Sequence, residues 1–276
     1  MGGYRAPLRD INFLLQNVFE AEKVFAAMPE TKEVTDDLIS AILDEAGKIA
    51  EQLLSPINQS GDLESCHFEN GKVTTPKGFK EAYDAYVEGG WPSLTGNVNY
   101  GGQGMPKVLS AMIEEMFFGA NSSFCLYTIL TTGATLTISQ HASEELKQTY
   151  LPNMYAGIWA GTMCLTEPHA GTDLGIINSK AIPNSEGNYD VTGTKIFITA
   201  GDHDLTDNII HLVLAKLPDA PPGPRGISLF LVPKFLVNDD GSLGDDNGVV
   251  TGSIEHKMGI KASATCVLNF EKSKGF

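Results

Sequence analysis

Two stretches of the chain carry residue types able to hold and orient a flat polar ligand. In GTMCLTEPHAGTDLG, Gly161 to Gly175, a β-like run ends in a turn rich in glycine, proline and small hydroxyls. Ala170 and Gly171 add little bulk there, so consecutive N–H groups can face an anion or the carbonyl edge of a ring, and Thr166 and Thr172 contribute hydroxyls. Further along, KIFITAGD, Lys195 to Asp202, places Phe197 and Thr199 on one strand face by simple alternation, an aromatic plane beside a hydroxyl. Taken singly, each stretch also fits ordinary structure: a hairpin with satisfied threonines in the first, a core phenylalanine and a rim threonine in the second.

Other chemistries find little support. There is no GxSxG elbow, HExxH pair, P-loop or GxGxxG following a strand, and GGQGMP reads only as a turn. His67, His141, His169, His203, His211 and His256 lack metal-ligand spacing, and no metal is expected. Cys66, Cys125, Cys164 and Cys266 form no CxxC pair, which speaks against zinc and against a disulfide framework and suits a reducing compartment. The acidic run Asn238 to Gly248 lacks EF-hand ligand spacing and reads as a solvated hairpin connection. As candidate bases, Glu114, Glu115 and Glu144 read as helix-surface carboxylates and Glu167 as part of its turn.

A formal net charge of -15 repels phosphate backbones and anionic lipid, so nucleic acid is an unfavourable partner. With 42% apolar and 19% charged residues over 276 positions, a packed fold of one or two domains is expected. No stretch has the length of a membrane span or of a signal-peptide apolar core, which places the chain in the cytoplasm.

The elements that must position these motifs fall into two halves. Leu8, Ile11, Leu14, Leu15 and Val18 recur at helical spacing. Leu38 through Leu54 gives the strongest helical pattern, entered through Thr35 and expected to stop at Pro56. Pro76 to Glu88, Pro106 to Gly119 and Ser122 to Gln140 follow as helices, and Ser143 starts another, so the chain reads as α-helical through Ala156. After Trp159, YDVTGTKIFITAG, HLVLAKL and GISLFLVPKF are short, β-rich and separated by turn clusters, which predicts antiparallel β with two covered faces. The division is a helical domain over 1–158 and a β-domain over 159–276.

CLTEPHAGTD followed by GTKIFITAG closely resembles the paired flavin motifs of the acyl-CoA dehydrogenase family. FENGKVTTPKGF, YGGQGMP, LTTGATLTISQHASEELKQTYLP, HLVLAKLPDAPPGPRGISLFLVPKF and EHKMGIKASATCVLNF extend the likeness over essentially the whole chain. It is strongest to the larger bacterial members, the branch that includes the methylmercaptopropionyl-CoA dehydrogenases. The resemblance implies an α+β chain: an all-helical N-terminal domain, then an antiparallel β-barrel or sandwich as the middle domain. The family's C-terminal helical bundle, with the glutamate that serves as base, is expected to be absent, which describes a truncated chain that is inactive alone.

The same resemblance implies FAD as cofactor. Met163, Cys164, Leu165 and Thr166 would meet it from one side and Phe197, Ile198 and Thr199 from the other, with Thr172 toward the CoA of an acyl-CoA substrate. Cys164 and Thr166 would give backbone N–H groups to the isoalloxazine edge, and Phe197 stands where many relatives have tryptophan. The implied reaction is α,β-desaturation of an acyl thioester with hydride transfer to the flavin. Its implied partners are an electron-transfer flavoprotein and further copies in a homodimer or homotetramer. An acyl-CoA oxidase-like flavoenzyme and a non-catalytic assembly module are the alternative readings.

Overall fold

The computed structural model describes residues 3–276. α1 (Leu8–Asn12) passes directly into a π-helical turn, Phe13–Val18, and α2 (Ala21–Ala26) follows; of the apolar stripe Leu8, Ile11, Leu14, Leu15 and Val18, Ile11 and Leu15 are buried and Leu8 half-buried, whereas Leu14 and Val18 are exposed, the π-turn having altered the helical period. α3 (Asp36–Ile49) begins as predicted, with the Thr35 hydroxyl accepting from Leu38 N at 3.3 Å and two aspartates in the positive first turn.

Pro56 does not stop that helix. Ala50–Leu54 forms a π-turn in which Ser55 N reaches back to Ala50 O, and α4 (Ser55–Glu64) carries on with Pro56 in its first turn. The widened turn shifts the hydrogen-bond ladder by one residue, so the proline ring meets no carbonyl that needs its missing N–H. A second departure is the hairpin of β1 (His67–Glu69) and β2 (Lys72–Thr74), set within a stretch expected to be helical. Its turn is Asn70-Gly71, both at positive φ (52° and 76°), a pair that favours tight hairpins.

α5 (Phe79–Glu88) follows. The two helices expected over 106–119 and 122–140 are one, α6 (Lys107–His141), broken only at Asn121 (φ -158°, ψ 90°). There the buried Asn121 amide donates to Leu54 O and accepts from Phe124 N, capping the second half of α6 as it ties it to the π-turn. α7 (Glu144–Tyr155) starts where predicted, with Ser143 accepting from Leu146 N. Phe79, Tyr83, Tyr86, Phe117 and Phe124 interlock as the aromatic centre of this half.

The remaining strands are β3 (Trp159–Cys164), β4 (Lys180–Pro183), β5 (Tyr189–Thr199), β6 (Asn208–Lys216), β7 (Ile227–Pro233), β8 (Phe235–Val237), β9 (Leu243–Asp246), β10 (Val249–Ile254) and β11 (Thr265–Gly275). Seven of them make one curled sheet in the order β10-β11-β5-β4-β6-β3, with β7 also on β6. The sheet is mixed and not wholly antiparallel: β3 runs parallel to β6 from Trp159↔Asn208 to Cys164↔Val213. Side-chain alternation carries no strand direction; the crossover through β4 and β5 sets it. The curl is tied at both ends, where Ile196 N donates to Thr166 O (2.8 Å) and Leu231 and Phe276 exchange bonds of 3.0 and 2.9 Å. The acidic run forms the β8–β9 hairpin.

Tyr127 of α6 joins the helices to the sheet. Fully buried, its hydroxyl donates to Ala262 O (3.0 Å) and accepts from Ala264 N (2.9 Å). Tyr127→Phe leaves both backbone groups unsatisfied and is expected to lower stability by about 1–3 kcal/mol. Urea unfolding measures this, and an unchanged midpoint would show that the seam does not depend on that hydroxyl.

Candidate functional site

The two motifs meet. β3 delivers Met163–Thr166 to the bend of β5, where Thr166 O accepts from Ile196 N at 2.8 Å and Thr162 Oγ1 donates to Thr199 O at 2.7 Å. Along the first segment Met163 is 39% exposed, Cys164 is fully buried, and Leu165 and Thr166 are half-buried. Along the second, Phe197 is 57% exposed, Ile198 is buried and Thr199 half-buried.

The backbone at Phe197 is not that of a regular strand. β11 pairs Cys266 with Ile198 but Leu268 with Lys195, so Ile196 and Phe197 together oppose Val267 in a β-bulge. Phe197 sits at φ 59°, a left-handed conformation that large side chains avoid. Exposure still alternates over Phe197, Ile198 and Thr199, although the simple strand on which that expectation rested is interrupted.

What holds the bend is a buried ion pair that the sequence reading passed over. Lys195, fully buried, extends Nζ to Glu167 Oε1 (2.8 Å) and Leu165 O (3.0 Å). The Glu167 carboxylate also accepts from Asn178 N (2.6 Å) and Ser179 N (3.0 Å). Burial by itself raises the Glu167 carboxyl, but bonds from Lys195, Ser179 and Asn178 outweigh it and hold the group below the usual carboxylate value. Burial lowers Lys195 against the pull of Glu167. The carboxylate's direction governs the pair, because two backbone donors support its charge independently of the lysine.

The turn beyond is closed by reciprocal bonds between Glu167 and Ala170, both 3.0 Å. Ala170 is buried, so its small size serves packing, whereas a Cβ on Gly171 would meet nothing within 4 Å. Thr172 is exposed past this bridge. His169 bonds Ile176 O at 3.0 Å. Behind the wall, Asp202 accepts from the Thr251 hydroxyl (2.8 Å), His203 N (3.0 Å) and Lys234. Burial, then nearby Lys234, lowers His203 and His211 to about 3, so both rings are neutral. The Cys164 thiol lies 3.9 Å from His211 Nδ1, and burial raises it above its ordinary value. Only the backbone of Cys164 is thus available to a ligand.

Among the described residues, no group of three or more His, Cys, Asp or Glu is arranged to hold a metal, and no helix is long and apolar enough to cross a membrane. The family model for the N-terminal domain of acyl-CoA dehydrogenases matches residues 37–158, and that for the middle domain matches 162–273.

The chain belongs to the acyl-CoA dehydrogenase family. It is 42% identical over 273 residues to the 3-methylmercaptopropionyl-CoA dehydrogenase of Ruegeria pomeroyi, covering 99% of this chain and 46% of that protein. It is 44% identical over 271 residues to a butyryl-CoA dehydrogenase of Syntrophomonas wolfei, covering 97% and 44%. An acyl-CoA dehydrogenase from Bacillus anthracis, solved in complex with FAD, superposes with a TM-score of 0.67 at 27% identity, over 88% of this chain and 36% of that one. The chain thus spans about half the length of the curated acyl-CoA dehydrogenases it matches.

Lys195→Met strands the Glu167 charge in the interior and is expected to cost about 3–5 kcal/mol, with the double variant Lys195→Met/Glu167→Gln recovering a large part. Because the folded carboxyl is lowered, its contribution is complete above the unfolded value and is lost as pH falls through the folded one. Glu167→Gln should therefore flatten the acid limb of the stability–pH curve below about pH 4.5. Additive single-variant costs in denaturant titrations, or an unaltered acid limb, would remove the pair from this role.

Proposed function

We propose that this chain supplies the FAD-contacting wall of a flavin-dependent acyl-CoA dehydrogenase acting on an acyl thioester. The observation that carries the reading is Phe197: a strained aromatic residue held 57% exposed, on a bend that a buried ion pair fixes against the first motif. A planar ring would cover that aromatic surface and repay its exposure. The FAD reported for the Bacillus anthracis relative supports the same ligand.

In this reading Met163, Cys164, Leu165 and Thr166 meet the cofactor along one segment and Phe197, Ile198 and Thr199 along the other. Backbone N–H groups of Cys164 and Thr166 would bond the ring edge, the Thr166 hydroxyl would lie near its reactive nitrogen, and Thr172 would contact the CoA portion of the substrate. Bound FAD would supply the acceptor for the substrate's β-hydrogen as hydride. The chain's own residues orient the ring, exclude water and keep the donors in place before reaction. Glu167 does not serve as the base, since Lys195 and two backbone N–H groups occupy its oxygens. Glu144 accepts from the Tyr100 hydroxyl at 2.7 Å, and that bond lowers its carboxyl. The proton acceptor is assigned to neither. An electron-transfer flavoprotein as electron acceptor, and a homodimer or homotetramer as assembly, complete the proposal.

Titrating the protein with FAD while following flavin fluorescence and the visible spectrum tests this. Phe197→Gly removes the left-handed strain and should raise stability by about 1 kcal/mol while weakening FAD retention. Thr166→Val should weaken retention about tenfold with little effect on unfolding, as expected for one lost hydrogen bond. Free, fully fluorescent flavin in the presence of excess wild-type chain would sink the reading. A loss of stability in Phe197→Gly would make that residue a packing element instead.

A further inference from the structure

A pocket lies where the end of α4 meets the loop between β10 and β11, next to the end of β5, since Ala264 on its lining accepts from Ala200 N at 2.9 Å. It has a volume of about 200 Å³ and is lined by Ser65 and Cys66 on the helical side and by Glu255, His256, Lys257, Lys261 and Ser263 on the other. The loop is fixed from behind. Tyr127 holds the peptide groups on both sides of Ser263, and Lys257 Nζ bonds Ser263 O (2.7 Å) and Thr265 Oγ1 (3.0 Å). The two sides are sewn together by Cys66 N to Lys261 O (3.1 Å) and Lys261 N to Asp62 Oδ1 (2.8 Å).

Two features of this pocket lack an internal explanation. Ser263 is a lining residue, 1% exposed, and its buried hydroxyl has no hydrogen-bond partner, a costly state for a polar atom. Among the described residues, neither Lys257 nor Lys261 has a carboxylate within salt-bridge distance, in a chain with 34 acidic and 19 basic side chains. A hydroxyl needing a partner, beside a Lys261 ammonium with no carboxylate on it and a Lys257 ammonium bonded only to neutral oxygens, describes an acceptor-rich anion. Glu255 is on the same wall, so the anion that suits the site best is one that can keep a proton of its own to donate.

We infer that this pocket binds a protonatable tetrahedral oxyanion, phosphate or a phosphomonoester, through Ser263, Lys257 and Lys261. The bound group ties together the two ends of the loop between β10 and β11 and stabilises the folded chain by mass action. The site is independent of the flavin reading and uses none of its residues.

The test uses inorganic phosphate and glycerol 3-phosphate as probes, against sodium chloride at matched ionic strength, reading thermal unfolding and calorimetric binding on the whole chain. Phosphate is expected to raise the unfolding temperature in a saturable manner. Ser263→Ala and Lys261→Gln should fold normally in chloride yet bind phosphate about tenfold more weakly, the loss expected for one hydrogen bond to a charged group. Lys257 is left intact because it anchors the loop. Tighter binding of glycerol 3-phosphate identifies a phosphomonoester, and tighter binding of phosphate identifies the free anion; either supports the site. Equal stabilisation by chloride, or variants that bind phosphate as the wild type does, overturns it.

Discussion

The ion pair between Lys195 and Glu167 is the constraint on which the rest of the candidate site depends. Two segments from different strands must be held together at a place where the sheet is irregular, and hydrophobic contact is too undirected to fix a bend to within a bond length. A lysine inside a sheet is stable only if its charge is met, and here one carboxylate and one carbonyl meet it. The carboxylate in turn collects two backbone N–H groups from the segment leading into β4. One buried charge thereby fixes the first motif, the bulged strand and the following crossover in a single arrangement.

That arrangement explains why surrounding groups tolerate unfavourable states. The left-handed Phe197 persists because its neighbours are pinned on either side: Ile196 N is bonded to Thr166 O, and Thr199 O to the Thr162 hydroxyl. Behind it, Asp202 gathers Lys234, Thr251 and the His203 amide, so the far end of the second motif is anchored by another buried carboxylate. The exposed face in front can then be rigid without being packed.

Much of this was legible in the sequence. Helix starts at Thr35 and Ser143 follow from side-chain capping, and the break in α6 falls in the gap left between two periodic runs, at Asn121. The paired motifs identified the segments that converge. What the pattern concealed has physical causes. Pro56 is accommodated by a π-turn whose altered ladder leaves no mark on residue types. The parallel pairing of β3 with β6 is a property of the crossover. The β1–β2 hairpin did carry a signal, Asn70-Gly71, outweighed by the helical segments around it. Lys195 also left one: a lone cation opening an apolar β-run is either an edge residue or a buried half of a pair.

The same lysine settles the register of β5. Side chains alternate with a period of two, so a one-residue slip against β11 would exchange the faces of the strand. Such a slip would carry Phe197 inward and Ile198 outward, and apolar burial alone would distinguish the two registers only weakly because both residues are large and apolar. Moving Lys195 out of reach of Glu167 is different, since it leaves a carboxylate buried without its countercharge. The alternative register is therefore rejected by electrostatics, and the bulge at Ile196 and Phe197 absorbs the mismatch between the lysine's required position and the regular pairing that resumes at Ile198. An exposed aromatic residue beside a half-buried threonine is then a consequence of where the charge must sit, and the ligand-facing surface inherits its geometry from a contact on the opposite side of the strand.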